Sequence, residues 1–437
     1  MKISQCMIVK NEEENIRRAL SWGKDIVCEQ IVVDTGSTDK TVEIAKEMGA
    51  TVFRVPWKND FASAKNYALQ KAYGDWILFL DADEYFEQED AKKIPKYLNA
   101  IDKMKPAKGK EKGAAAQCTL VNVDLKGNII SVIKQIRIFR NRKYIRYEGK
   151  IHENIVDTRN KGLVLVDLTR ELTIYHTGYD KEVFQRKKKL DRNVEMIQQV
   201  LDENPENANY QLYMAETLSA KGHTTEAMEY VERALKNYDG SLETERMLLA
   251  HQMRMFQSIN INKVKLYEKQ QIIKMYEEAV GFKDDYPDFD VAMGFWYHNW
   301  GEYGNAVACF VQALEKVEQS ENLFGSRVTE FLEDIYRLLV EELFELEQWQ
   351  GVVAYGTTAL QINPYDENVL VKVINVLSDI GRESPKKIVD FMEKLYDFSD
   401  KENQKFLVKI GEKLNNSILE KQLEEKLKKF ENNPKRG

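Results

Sequence analysis

Between Ile3 and Leu80 the chain alternates short β-branched runs with helical stretches, and that alternation leaves few folds open. Ile3–Val9 is an apolar run, and Asn11–Trp22 reads as a helix with Asn11 as its N-cap ahead of acidic first-turn residues. Gln30–Asp34 is a second run and stops at Thr35-Gly36-Ser37. Thr38 or Asp39 is placed to cap the next helix, which Gly49 ends. Thr51–Val55 is a third strand, Phe61–Tyr73 a helix and Trp76–Leu80 a fourth strand. Single helices between strands imply βαβ units, hence a mixed, mainly parallel sheet covered on both faces. Ligands of such sheets sit beyond the carboxyl ends of the strands. Asp34 and Asp81-Ala82-Asp83 fall there.

From about residue 113 to 180 the pattern stays strand-like. Gln117–Val123, Ile129–Phe139 and Leu163–Tyr175 are rich in β-branched residues, and Lys-Gly-Asn at 126–128 is a turn between the first two. The stretch KMKPAKGKEKG before them is a basic surface loop. Helix then takes over, with Val183, Phe184, Leu190, Val194, Ile197 and Leu201 near helical spacing. Beyond it lies a degenerate repeat: Gly222, Ala227, Tyr230 and Ala234 match the spacing of Gly301, Ala306, Cys309 and Ala313. Val352, Tyr355 and Ala359 fit the same frame. Small residues seven apart let paired helices pack closely, as in tetratricopeptide repeats. The chain thus divides into an α/β domain over 1–180, a linker helix over 181–203, TPR-like all-α repeats over 204–395, and C-terminal helices with a basic tail over 396–437.

The 71 acidic residues outnumber the 64 basic ones, for a net charge of −7. That argues against nucleic acid as the main partner, which requires a basic surface. No apolar run reaches the length of a membrane span, and the first residues do not read as a signal peptide, so none is expected. Four scattered cysteines, Cys6, Cys28, Cys118 and Cys309, fit free thiols in a reducing cytoplasm, which is the expected location.

Asp81 and Asp83, one residue apart after the apolar strand Trp76–Leu80, can reach a common cation. Mg2+ or Mn2+ takes such hard oxygen ligands and bridges to phosphate oxygens. On a nucleotide-sugar it would offset the charge that develops on the departing diphosphate. Gly36 allows a tight turn after Asp34, whose carboxylate can accept hydrogen bonds from a base or ribose. No G-x-G-x-x-G is present, so a dinucleotide-dependent dehydrogenase is unsupported.

Met7 to Glu13, Val33 to Asp39, Trp57 to Asn66 and Trp76 to Asp83 resemble, in order, the motifs of family 2 glycosyltransferases, inverting enzymes of the GT-A fold. The resemblance implies that Asp34 and Asp60 hold the base or ribose and that Lys65-Asn66 lie near the nucleotide. It also implies that Asp81 touches ribose or metal, that Asp83 touches the metal, and that the donor is a UDP-sugar. Further on, Arg137-Ile-Phe-Arg140, Tyr147 to Glu153 and Tyr175 to Tyr179 resemble the subgroup fused to tetratricopeptide repeats, which includes the sublancin-type peptide S-glycosyltransferases. The basic helix Arg186 to Asn193 is similar to that subgroup as well. The processive-synthase motif Gln-x-x-Arg-Trp is absent.

An inverting transfer also needs a base for the acceptor hydroxyl or thiol. His152 and Glu153 are adjacent candidates, on opposite sides if the segment is extended; Glu153 is favoured because the family's usual base is a carboxylate. His176 is either a third metal ligand or a structural histidine. Arg137 or Arg140 could neutralise diphosphate oxygens. Helix pairs suit extended peptides, so the expected acceptor is a peptide or protein modified on Cys, Ser or Thr, and the bacteriocin-type S-transferase is one form of it. Self-association as a homodimer is the other use of repeats. The rivals are a cytoplasmic glycosyltransferase of cell-surface carbohydrate synthesis and a TPR scaffold with an inactive transferase domain.

Overall fold

The computed structural model describes residues 1–105, 113–123, 127, 129–159, 161–177, 183–238, 240, 244–261, 267–320, 325–414 and 417–431. The basic stretch at 106–112, most of the Lys-Gly-Asn turn, Gly178-Tyr179 and the final six residues of the tail lie outside them. The chain forms two units, Met1–Pro205 and Glu206–Gly437.

In the first unit, β1 (Ile3–Val9), β2 (Glu29–Asp34), β3 (Thr51–Arg54) and β4 (Trp76–Phe79) alternate with α1 (Ile16–Ser21), α2 (Thr41–Glu47) and α3 (Phe61–Lys71). Then follow β5 (Glu84–Phe86), α4 (Gln88–Lys103), β6 (Ala115–Val123), β7 (Ile129–Arg140), β8 (Ile145–Glu148), β9 (Asn154–Asp157), β10 (Leu165–Asp167), β11 (Thr173–His176) and α5 (Val183–Glu203). Among the described residues nine strands form one sheet in the order β3-β2-β1-β4-β7-β6-β11-β5, with β10 also on β6. The βαβ strands are mutually parallel, whereas β7 runs antiparallel to β4 and β6. The sheet is therefore mixed and mainly parallel.

β1 is buried along nearly its whole length because helices cover both faces. Its two polar residues are satisfied: Gln5 donates to the Ala19 carbonyl at 2.7 Å, and the Ser4 hydroxyl accepts from Gly74 N–H at 2.8 Å.

Two sequence readings need correction here. Asn11 does not cap a helix: α1 begins only at Ile16, and Asn11 has φ +56. Its side-chain oxygen instead accepts from Thr38 N–H at 2.8 Å, while its own N–H donates to Ser37 Oγ at 2.9 Å. A short polar side chain tolerates the left-handed conformation, and here it ties the β1 loop to the β2 loop. The stretch Leu163–Tyr175 is two strands rather than one. Asp167 accepts from Thr169 N–H at 2.9 Å, a turn that steps the chain from β10 to β11 along the same partner, β6.

The second unit is helical. It comprises α6 (Ala208–Ala220), α7 (Thr224–Lys236), α8 (Thr244–Ile261), α9 (Lys269–Phe282), α10 (Pro287–Asn299) and α11 (Tyr303–Gln319). After these come α12 (Val328–Glu345), α13 (Trp349–Ile362), α14 (Glu367–Asn375), α15 (Pro385–Leu395), α16 (Lys401–Lys413) and α17 (Ser417–Glu431). Gly222 and Gly301, at φ +81 and +73, make the turns within two helix pairs. The small residues of the repeat frame, Ala227, Ala234, Ala306 and Ala313, are fully buried where paired helices meet. Gly294 is another such contact, since a Cβ there would stand 2.5 Å from the Phe310 ring. One apolar core runs from Met228 to Leu427, so the helices after 395 share the core of the repeats. Within it Glu342, 1% exposed, meets His298 Nδ1 at 2.9 Å, and burial pushes its carboxyl up to about 8.

Candidate active site

The site is assembled at the carboxyl ends of β2 and β4. Asp34, the last residue of β2, is buried, and its Oδ1 accepts from Ser37 N–H at 2.9 Å across the Gly36 turn. Its Oδ2 lies 3.8 Å from the Arg54 guanidinium. Asp34, Gly36, Ser37, Arg54, Val55 and Pro56 line a pocket of about 300 Å3. Asp60 caps α3, accepting from Ser63 N–H at 2.7 Å.

α3 then carries the centre of the site. Lys65 is 4% exposed, with its ammonium 2.7 Å from Glu153 Oε1 and 3.3 Å from Asp81 Oδ1. The rings of Phe79 and Tyr147 each lie 5.2 Å from that ammonium. Burial alone would discharge Lys65, but Asp81 and Glu153 overcome it and raise its pKa. Asn66 is directed away from the pocket: it donates to the Tyr147 carbonyl at 2.8 Å and accepts from Tyr147 N–H at 3.0 Å. With Phe61 N–H on the Lys150 carbonyl at 2.8 Å, these bonds fasten the separate β8–β9 ribbon to α3. The ribbon delivers Glu153 to Lys65.

Arg137 grips Glu84 with two nitrogens, at 2.8 and 2.6 Å, and reaches Asp81 Oδ2 at 3.5 Å. Burial opposes ionisation of Asp81, yet Lys65 and Arg137 outweigh it and hold the carboxyl at about 2. Glu153, Lys65, Asp81, Arg137 and Glu84 therefore form one chain of alternating charge.

His176, the last residue of β11, places Nε2 3.2 Å from Asp83 Oδ2 and Nδ1 2.7 Å from Asn122 Oδ1. Burial lowers the imidazole pKa, but the Asp83 carboxylate more than offsets this and raises it. Burial works against ionised Asp83 as well, and His176 brings its pKa down. These two side chains are close enough to share one hard cation, with donor oxygens and water completing its shell. Asp81 does not join them, because Lys65 and Arg137 hold it. Among the described residues no three His, Cys, Asp or Glu side chains form a metal cluster, so the expected Asp81–Asp83–His176 set is not assembled.

His152 differs from the extended-segment expectation. It has φ +54, lies in a bend before β9 and is exposed. The left-handed turn, not strand alternation, sends Glu153 inward. Arg140 is also remote from the diphosphate role: it donates to the Gly113 carbonyl at 2.8 Å, pairs with Asp102 at 2.7 Å and stacks on Trp76.

Residues 4–107 match the family described as Glycosyl transferase family 2. The first half of the N-terminal unit therefore carries the family 2 glycosyltransferase match. A TPR repeat-containing protein of Synechococcus elongatus is 31% identical over 241 residues, which is 54% of this chain and 57% of that protein. The prophage-derived glycosyltransferase SunS of Bacillus subtilis is 28% identical over 236 residues, 53% of each chain. The chain thus spans about half the length of the curated relatives it matches. Among solved structures, S. aureus TarS 1-349 in complex with UDP-GlcNAc aligns at a TM-score of 0.33 and 16% identity, covering 74% of this chain and 93% of that one. At that score the likeness is loose.

The transferase domain is joined to TPR-like helices, an architecture similar to the sublancin-type enzymes. Of its motif residues, Asp34, Asp81 and Asp83 stand at the carboxyl ends of β2 and β4, and Lys65 reaches Asp81 from α3. Arg54, Glu84 and Tyr147 complete the site and went unassigned in the sequence. Glu84 had a local signal, directly after Asp83; Arg54 had none beyond closing a strand. No helix among the described residues is long and apolar enough to cross a membrane.

Proposed function

We propose that this chain moves a hexose from a UDP-sugar to a peptide or protein acceptor on Cys, Ser or Thr, with inversion at the sugar carbon. The observation that carries the reading is the Glu153–Lys65–Asp81 chain beside the Asp34–Arg54 pocket, at the strand ends of a family 2 domain. The pocket suits a uracil-ribose unit, with Asp34 accepting from its polar edge. Glu153 takes the acceptor proton on the oxygen that Lys65 leaves, as the acceptor atom forms its bond to C1 and the bond from C1 to the diphosphate oxygen breaks. The products are the glycosylated acceptor and UDP. Asp83 and His176 are the residues suited to hold Mg2+ or Mn2+, which when bound offsets diphosphate charge. The TPR-like helices supply acceptor recognition, and the resemblance to the sublancin-type enzymes favours a cysteine thiol.

The test is thermal shift and transfer on the full chain. UDP with Mn2+ should stabilise the fold by about 2.7 kcal/mol at a hundredfold excess over the dissociation constant. Asp83→Ala should lose the part of that gain that depends on metal. Equal stabilisation by UDP with and without a chelator would remove the metal from the reading. Absence of any UDP effect would remove the donor.

A further inference from the structure

Arg137 is committed to Glu84 and Asp81, which leaves the donor's diphosphate without the guanidinium that the sequence assigns to it. Two other cations stand on α5. Lys189 and Arg192 are three residues apart, so they share a face of the helix. Arg192 lies over the Phe61 ring at 5.2 Å, at the start of α3, and Phe61 in turn packs on Trp57 at 4.7 Å. Lys189, one turn earlier on that face, adds positive charge felt at both Asp83 and His176. The face therefore runs from the start of α3 towards the Asp83–His176 pair.

No carboxylate of the described residues pairs with either cation. One terminal nitrogen of Arg192 donates to Asn193 Oδ1 at 2.9 Å, while its Nε is buried without a partner. Burial lowers the Arg192 pKa, with no acid to counter it. A half-buried guanidinium of this kind is costly unless an anion meets it. Its planar fork matches phosphate oxygens, and a lysine one turn away adds a point charge.

We propose that Arg192, assisted by Lys189, receives the diphosphate of the nucleotide-sugar donor, which makes α5 part of the donor site. The proposal rests on the reading of the first unit as a UDP-sugar site. Titration calorimetry on the full chain with UDP and with uridine separates the two. Wild type should bind UDP more tightly than uridine. Arg192→Gln should weaken UDP about tenfold or more, the effect of losing a hydrogen bond to a charged group, and leave uridine unchanged. Arg192→Lys should recover part of the loss. Lys189→Gln, at an exposed position, should weaken UDP several-fold with uridine again unchanged. UDP affinity unaltered in both glutamine variants overturns the proposal, as does a parallel loss of uridine, which would make Arg192 a packing residue. Wild type with no preference for UDP over uridine would instead overturn the donor reading itself.

Discussion

The ammonium of Lys65 lies 2.7 Å from Glu153 Oε1, joining α3 to a ribbon outside the main sheet. The same nitrogen reaches Asp81 at 3.3 Å. Lys65 is therefore the point through which the Asp81 and Glu153 carboxylates are electrostatically coupled.

Lys65→Met should cost about 2 kcal/mol or more in urea unfolding. Removing one partner of a buried pair typically costs ~3–5 kcal/mol, and the value is discounted because Asp81 keeps 39% of its side chain exposed. A loss below about 0.5 kcal/mol would show that the carboxylates do not depend on Lys65.

Glu153→Gln should slow transfer to a Ser acceptor by ~10²–10⁴, the usual weight of a positioned base. The same peptide carrying Cys should suffer less and recover as pH approaches the thiol pKa of about 8.5, because solvent then supplies the thiolate. His152→Ala should show neither effect, given its exposed bend. Initial rates on both peptides decide this, and the opposite pattern would exchange the two roles.

Much of this site was legible because its residues close strands. Asp34 and Asp81 follow apolar runs that end abruptly, so sheet chemistry located them without knowledge of any contact. Glu153 was reached on a wrong premise: nothing in a histidine side chain announces φ +54, and an extended segment was the natural reading. The pairing of Arg137 with Glu84 depends on the antiparallel register of β7 on β4, which the alternation of residues does not specify. The split of β10 from β11 was hidden for a similar reason, since Leu168 to Leu172 contains no Gly or Pro to mark the turn. Helix boundaries in the repeats were clearer, because Gly222 and Gly301 interrupt the pattern where the backbone turns left-handed.

Asp34→Ala should weaken UDP about tenfold or more in calorimetry, through loss of an acceptor for a base or ribose proton. The variant should lose stability too, because Ser37 N–H loses its partner. Unaltered UDP affinity would detach the Asp34–Arg54 pocket from the nucleotide.

Glu342→Gln should stabilise the helical unit at alkaline pH and not at acid pH. The folded carboxyl is pushed up to about 8 from an ordinary 4.5, so the native state holds a proton that the unfolded chain releases between those values. Native stability consequently falls as pH rises through that window, and glutamine removes the dependence. By pH ~8 the gain should be on the order of a few kcal/mol. Thermal midpoints followed by circular dichroism at several pH values test it, and parallel curves for variant and wild type would contradict it.

The ribbon of β8 and β9 hangs on α3 by Asn66, Phe61 and Lys65 and shares no ladder with the nine-stranded sheet. The segment that presents Glu153 can accordingly be reworked without disturbing the strands that carry Asp34 and Asp81. On the proposed reading, the acceptor atom could therefore change before the donor sugar does.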